Sequence, residues 1–232
     1  MKEPLVLIPG MMCDGRLFSP QLAAFTAERP VMVVPPVGDT SVSGLAQRCL
    51  RHAPHRFALA GLSMGGIVAM EVIRQAPGRV TRLALMDTNP LPDSPERKAM
   101  RDALITKVRN GELRGVLRDD LKPHYLAGTP ASTRRILDLC MAMAEALGPA
   151  VFIDQSTALR DRPDQRVKLR SVSVPTLVLC GEDDRLCPPE HHRLMRDLIP
   201  DSQLVIVPGA GHLPTLENAK GTNEAFGQWL GR

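Results

Sequence analysis

Short runs of apolar and β-branched residues alternate along the chain with longer segments whose apolar residues recur at helical spacing. The runs are typical of buried parallel strands, and the longer segments of helices that cover a sheet on both faces. The pattern therefore predicts an α/β fold, a three-layer sandwich with about six parallel strands. The predicted strands are Leu5 to Ile8, Val31 to Val34, Phe57 to Ala60, Leu83 to Met86, Thr176 to Cys180 and Leu204 to Val207. The helices predicted between them are Leu17 to Ala27, Val42 to His52, Met64 to Gln75, Glu190 to Leu198 and Ala219 to Leu230.

One interval breaks this alternation, because the strands predicted to end at Met86 and to begin at Thr176 lie much farther apart than a usual connection. The interval predicts helices instead, and the third of them is apolar on two faces. We therefore expect an α/β core of residues 1–90 and 165–232 with a helical lid insertion of residues 91–164. An additional core helix is the alternative interpretation of the third helix. The helices predicted in the insertion are Glu96 to Val108, Leu113 to Leu121, Ser132 to Leu147 and Pro149 to Leu159.

The sharpest motif follows the third predicted strand. It reads Gly61-Leu62-Ser63-Met64-Gly65-Gly66 and leads directly into a predicted helix. A serine at a tight strand-to-helix turn holds its hydroxyl clear of the fold, and the helix N-terminus behind it offers free N–H groups to a developing oxyanion. This context favours a nucleophilic serine over the alternative, a glycine-rich structural turn.

A serine nucleophile needs a histidine base and a carboxylate that orients this base. His212 lies in a glycine-containing loop after the last predicted strand, and Asp183 and Asp184 follow the fifth. An ordinary structural histidine is the alternative for His212, and this interpretation is favoured for the other five histidines.

With Ser63, Asp184 and His212 in this order, nearly the whole chain resembles the α/β-hydrolase family. The resemblance implies that these residues are nucleophile, acid and base. It favours Asp184 over Asp183, because relatives place the acid three residues beyond the glycine that ends the strand. Asp87 is a second candidate acid, since some members carry the acid after that earlier strand.

The resemblance also implies an oxyanion hole, formed by the backbone N–H groups of Met11 and Met64. Many relatives have His-Gly where this chain has Pro9-Gly10, a change that a backbone donor tolerates. Relatives usually carry two strands before this loop, so we expect their N-terminal hairpin to be missing here. The strand at Val31 to Val34 then forms an exposed edge, for which a covering N-terminal segment and a dimer contact are both open.

Composition excludes several classes of function. Lys and Arg number 29 against 25 Asp and Glu, but the basic residues are spread along the chain and aromatic residues are few, so nucleic-acid binding is not expected. Five widely spaced cysteines indicate reduced thiols rather than disulfides. Cys187, His191 and His192 lack a second cluster at zinc spacing and are interpreted as a loop and a helix start. Without an apolar run of membrane-spanning length or a signal-peptide pattern, a cytoplasmic location is expected.

The sequence thus predicts a serine hydrolase that cleaves a small, largely apolar carboxylic ester or related acyl compound through an acyl-enzyme. No metal or organic cofactor is expected, and the expected partner is a small-molecule acyl substrate. A carbon–carbon bond hydrolase or cofactor-free perhydrolase on the same triad, an acyltransferase and a non-catalytic ligand receptor stay open as alternatives. The apolar preference depends on pocket candidates that also suit an ordinary core: Met12, Leu139, Met141 and Met143, beside Met11 and Met64.

Overall fold

A single parallel sheet forms the centre of the molecule, in a computed structural model that describes residues 2–121, 124–127 and 130–231. Its six strands have the order β2-β1-β3-β4-β5-β6, and every neighbouring pair is parallel. The predicted α/β sandwich of six parallel strands is confirmed. The strands are β1 (Leu5–Ile8), β2 (Val31–Val33), β3 (Phe57–Leu62), β4 (Val80–Met86), β5 (Thr176–Gly181) and β6 (Ser202–Val207).

Helices cover both faces of this sheet, and capping residues fix where several of them begin. Ser41 precedes α2 and accepts a hydrogen bond from the backbone N–H of Gly44 at 3.0 Å, and Ser94 accepts one from Arg97 at the start of α4. The helices of the core are α1 (Ser19–Phe25), α2 (Val42–His52) and α3 (Met64–Gln75); those of the insertion are α4 (Pro95–Arg109), α5 (Leu113–Gly115) and α6 (Pro130–Arg160); α7 (Arg166–Leu169), α8 (Pro189–Leu198), α9 (Pro214–Glu217) and α10 (Ala219–Gly231) follow.

Two apolar clusters sandwich the sheet. Alternate residues of β1 enter opposite clusters, since Val6 and Ile8 pack with α2, α3 and α8, whereas Leu5 and Leu7 pack with α1 and α10. Strands β1, β3 and β5 are buried along their whole length. This double burial explains why they appear in the sequence as continuous apolar runs.

The inserted helices build a third apolar cluster of their own. Phe152 of α6 is fully buried in it, together with Leu104 and Val108 of α4 and with Met12 from the core. Two expectations change in detail here. The helix predicted from Leu113 to Leu121 is α5 followed by a π-helix over Val116–Leu121. The helices predicted on either side of Gly148 run together as α6, with Gly148 itself in a non-helical conformation at φ 81°.

Length and hydropathy alone would allow one segment of the described chain to cross a membrane. This segment is Thr133–Arg160 of α6, with a mean hydropathy of 1.8 in its most apolar window. Gly148 interrupts its helical geometry, and Phe152 and Leu159 pack inside the protein. Length and composition are therefore weak evidence for a membrane span here.

Strand β2 lies at one end of the sheet, where the sequence places an edge strand. The side chain of Met32 in this strand is half-exposed, whereas Val31 and Val33 pack against the cluster that contains α1. All five cysteines are buried. Burial raises the pKa of Cys49 and of Cys187 to about 12, so both thiols stay protonated.

Candidate active site

The carboxyl ends of the strands bring the predicted site residues to one edge of the sheet. Met11 follows β1, Ser63 follows β3, Asp184 follows β5 and His212 follows β6. In a parallel sheet these ends lie side by side, so residues far apart in sequence become neighbours. The predicted residues Met11, Ser63, Met64 and His212 line the same cavity at this edge.

Ser63 occupies a strained turn between β3 and α3. Its backbone has φ 56° and ψ −117°, a conformation that a residue with a side chain rarely adopts. Three neighbours hold the turn in place: the N–H of Ser63 donates to the carbonyl of Met86 at 2.8 Å, and its carbonyl accepts from the N–H of Gly66 at 2.9 Å and from the hydroxyl of Thr88 at 2.8 Å. These hydrogen bonds therefore fix the backbone conformation that positions the Ser63 side chain.

Two glycines of the motif allow this turn to pack against the sheet. A Cβ atom on Gly65 would lie 2.0 Å from the carbonyl oxygen of Ile8, and one on Gly61 would lie 2.2 Å from the carbonyl oxygen of Gly65. No side chain fits at either position without moving backbone. The glycines are thus required by close approach, as the motif suggests.

His212 bridges the serine and the aspartate. Its Nε2 lies 2.9 Å from Oγ of Ser63, and its Nδ1 lies 2.9 Å from Oδ2 of Asp184. The other oxygen of Asp184 accepts the N–H groups of Leu186 and Cys187 at 2.8 and 3.0 Å. Burial acts to raise the pKa of Asp184, but the nearby imidazole and these donors outweigh it and lower this pKa below its ordinary value. Asp184 is therefore ionised and can orient the ring and stabilise its protonated form.

Asp87, the second candidate acid, has a different environment. Its side chain is fully buried, and Oδ1 accepts the N–H of Gly181 at 2.9 Å. Burial and the negative charge of Asp184 raise the pKa of Asp87 well above its ordinary value, which favours the neutral form of its carboxyl group. The carboxylate that contacts His212 is that of Asp184.

Glu217 and Tyr125, neither of which the sequence indicates, hold the histidine loop. The carboxylate of Glu217 accepts the N–H groups of Ala127, Gly211 and Leu213 at 2.8, 2.9 and 3.1 Å. The N–H of His212 donates to the carbonyl of Tyr125 at 2.7 Å. No local sequence motif indicates these contacts, because they join the helix after β6 to the segment before α6.

The cavity beside Ser63 has a volume of about 400 Å³. Met11, Met64, Leu62 and Ile67 form part of its wall from the core, and Leu104, Leu121 and Leu159 contribute from the insertion. The remaining pocket candidates lie in apolar clusters rather than in its wall, because their side chains pack helix against helix or helix against sheet. Met12 and Met141 belong to the cluster of the insertion, and Leu139 and Met143 to the cluster around α1 and α10.

One group of side chains in the described chain has the spacing of a metal site. Ligand atoms of Asp184, Cys187 and His212 lie within 4.8 Å of one another. The donors do not fit a metal in this state, because the carboxylate and the imidazole already bind each other and the buried thiol is protonated. His192, considered with Cys187 in the sequence, instead accepts the N–H of Thr88 through Nε2 at 3.1 Å.

At the edge of this parallel sheet, a serine, a histidine and a carboxylate lie in hydrogen-bonded series beside a cavity. This is the architecture of α/β hydrolytic enzymes. The sequence model of the alpha/beta hydrolase family matches residues 5–225, and the chain belongs to this family. An esterase from Thermogutta terrifontis, solved with malate bound, superposes with a TM-score of 0.89 at 28% identity, covering 99% of this chain and 90% of that one.

Curated relatives include enzymes of different size. A pimeloyl-[acyl-carrier protein] methyl ester esterase of Klebsiella pneumoniae is 30% identical over 76% of this chain and 70% of its own length. Polyketide synthase ThaQ of Burkholderia thailandensis is 29% identical over 90% of this chain. The chain spans 11% of the length of this synthase, and it spans 61% and 52% of the length of two further curated relatives that it matches.

Proposed function

We propose that this hydrolase cleaves a carboxylic ester through a covalent acyl intermediate on Ser63. The observation that carries the proposal is the unbroken series from the Ser63 hydroxyl through His212 to the Asp184 carboxylate, with both distances at 2.9 Å. A nucleophile, a base and a group that orients the base are what acyl transfer by serine requires. The esterase names of the Thermogutta and Klebsiella relatives support the same reaction class.

The reaction has two halves. Nε2 of His212 takes the hydroxyl proton while Oγ of Ser63 attacks the ester carbonyl, and the protonated ring then gives the proton to the departing alcohol. A water molecule, deprotonated by His212, then attacks the acyl-enzyme, and the acid is released as the protonated ring returns the proton to Oγ of Ser63. Asp184 stabilises the imidazolium in both halves and is not itself protonated.

The developing oxyanion is stabilised by the backbone N–H groups of Met64 and Met11. Met64 is the first residue of α3, so its N–H has no acceptor within the helix and lies at the positive end of the helix dipole. Both residues line the cavity at Ser63. Loss of one such donor typically reduces kcat by about a hundredfold to a thousandfold.

Residues 91–164 act as a lid over this site in the proposed enzyme. Support comes from the cavity wall, to which α4 contributes Leu104, the π-helix contributes Leu121 and α6 contributes Leu159. The apolar side chains near Ser63 suit a short acyl or alkyl group, since such walls exclude water from the acyl-enzyme.

The test is hydrolysis of a series of p-nitrophenyl esters with graded acyl length by the wild-type protein and by the Ser63→Ala variant. We expect the variant to fold normally and to lose activity by about a thousandfold or more. Ser171→Ala is the matched control, because the Ser171 hydroxyl only donates to a backbone carbonyl at the protein surface.

A fluorophosphonate probe should label the wild-type protein and leave Ser63→Ala unlabelled. Comparable turnover by the wild type and by Ser63→Ala would show that the nucleophile is another group. Cleavage of a vinylogous diketone without any ester hydrolysis would replace the proposal by carbon–carbon bond hydrolysis.

A further inference from the structure

Three arginines meet on one side of the cavity around a single buried carboxylate. Asp93, in the connection after β4, has a side chain with no exposed surface. Nη2 of Arg162 lies 2.9 Å from its Oδ1, Nε of Arg97 lies 3.7 Å from the same oxygen, and Nε of Arg101 binds Oδ2. Arg97 and Arg101 stand one turn apart on α4, and Arg162 follows α6. The three guanidinium groups and the Ser63 hydroxyl belong to residues that line one cavity.

The charges of this cluster do not balance. Three guanidinium charges face one carboxylate, so two positive charges remain in excess. Burial lowers the pKa of Arg162 to about 10 in spite of the Asp93 charge, and repulsion by Arg101 and Arg97 adds to this effect. Like charges held together in a partly desolvated place are unfavourable unless an anion joins them.

The donors of Arg97 and Arg101 are not exhausted by Asp93. Both side chains approach its carboxylate through Nε, and a guanidinium carries five N–H donors in a rigid fork. Arg162 is more fully engaged, because Nε also donates to the carbonyl of Leu91 at 2.8 Å. The exposed fractions follow this order, with 44% of the Arg97 side chain, 11% of Arg101 and 5% of Arg162 accessible. Arg97 and Arg101 therefore offer donors towards a ligand, whereas Arg162 and Asp93 mainly build the site.

Other charged groups of the cavity wall do not cancel the excess. Asp120 is the carboxylate among the described residues of the wall, and it already pairs with Lys107 at 3.0 Å. Arg185, on the loop after β5, adds a further positive charge. The wall therefore combines apolar side chains with an excess of positive charge, to which Arg97 and Arg101 of α4 contribute.

We propose that the ester substrate carries a carboxylate, and that Arg97 and Arg101 bind this group while the ester carbonyl lies at Ser63. The substrate class is then a monoester of a dicarboxylic acid, with an apolar chain between the two ends. This inference rests on the proposed esterase function and adds an anionic subsite to the apolar pocket. Guanidinium groups pair bidentately with a planar carboxylate and also with phosphate, so the test must separate the two anions.

The experiment compares three methyl esters of matched length: monomethyl adipate, its neutral terminal carboxamide analogue, and an analogue with a terminal phosphate. We expect wild-type kcat/KM to be about tenfold to a hundredfold higher for the carboxylate than for the carboxamide, and higher than for the phosphate. Most of the difference should be in KM, because the subsite binds ground state and transition state alike.

The Arg97→Gln variant should lower the carboxylate-to-carboxamide ratio by about tenfold, since a charge-assisted hydrogen bond is lost. Arg101→Lys should lower it as well, because lysine keeps the charge but not the fork. Arg109→Gln is the matched control, since Arg109 ends the same helix outside the cavity wall given above and is exposed. This control should keep the wild-type ratio.

A direct binding measurement separates this inference from the proposed function. In Ser63→Ala, calorimetry should detect binding of monomethyl adipate, and Arg97→Gln in that background should weaken it. A ratio near one in the wild type, or a ratio unchanged in Arg97→Gln, would overturn the carboxylate subsite while esterase activity stands. A preference for the phosphate ester would overturn the assignment to carboxylate. Binding by Ser63→Ala without turnover by the wild type would instead overturn the proposed esterase.

Discussion

Replacement of Glu217 by alanine tests how the histidine loop is held. The substitution removes one carboxylate that accepts three backbone N–H groups, those of Ala127, Gly211 and Leu213. Gly211 and Leu213 flank His212, so the loss falls on the loop that carries the proposed base. The side chain lies at the junction of this loop with the segment before α6.

The magnitude follows from the three donors. A buried N–H left without an acceptor costs about 1 to 3 kcal/mol. Burial raises the pKa of Glu217 despite its three donors, so the cost of burying this carboxylate offsets part of what the three hydrogen bonds contribute. We therefore expect the free energy of unfolding to fall by about 2 to 4 kcal/mol. We also expect kcat to fall by about tenfold or more, since displacement of a catalytic group by an ångström has effects of this size.

Urea unfolding followed by circular dichroism gives the stability change, and p-nitrophenyl ester hydrolysis gives kcat. Glu224→Ala is the matched control, because Glu224 is exposed. Among the ion pairs of the described chain, its carboxylate takes part in one, with Nζ of Lys220 at 3.9 Å. Glu217→Gln keeps one acceptor oxygen and should lie between the two. If Glu217→Ala and Glu224→Ala agree within about 0.5 kcal/mol and have equal kcat, the loop is held by other contacts and the reasoning is wrong.

Two further predictions concern the turn and an ion pair. Gly65→Ala should prevent correct assembly of the turn at Ser63, because the added Cβ would lie 2.0 Å from the carbonyl oxygen of Ile8. The measurement is the loss of soluble protein that unfolds cooperatively. Gly78→Ala is the control and should behave as wild type, since its Cβ meets nothing within 4 Å. Burial acts to raise the pKa of Glu71, but Arg74 and neighbouring donors lower it to about 2, so its ionised form stabilises the fold above the ordinary pKa of 4.5 and this contribution disappears as the pH falls towards 2. Glu71→Gln should flatten the dependence of unfolding free energy on pH in this window by up to about 3 kcal/mol, and an unchanged slope would contradict the ion pair as its source.

The sheet was predictable because its central strands are buried on both faces and so read as unbroken apolar runs. The start of β4 is not predictable in this way, since Thr81 and Arg82 are polar and the sequence predicts the strand only from Leu83. Arg82 is accommodated there because its guanidinium pairs with Glu3 at 2.9 Å, a partner far away in sequence. The π-helical turn before the end of the insertion has no sequence signal of its own.

The proposed catalytic residues could be chosen from sequence because each stands in a loop directly after a predicted strand. The arginine cluster could not, since Arg97 and Arg101 look like ordinary surface residues of α4 until the fold brings Arg162 and Asp93 beside them. The placement of the apolar candidates is hard to predict for a related reason. Helical periodicity indicates that Met141 and Met143 face inward, but only the packing shows that they enter apolar clusters rather than the cavity wall.

The buried thiols give the molecule a built-in reporter of its own opening. All five sulfur atoms are shielded from solvent, and for two of them the protonated, unreactive form persists far into alkaline conditions. A disulfide reagent can therefore modify them only as fast as the surrounding structure exposes them. Cys49 lies on the buried face of α2, Cys180 within β5 and Cys140 in α6, so the order in which they react distinguishes departure of the inserted helices from collapse of the sheet.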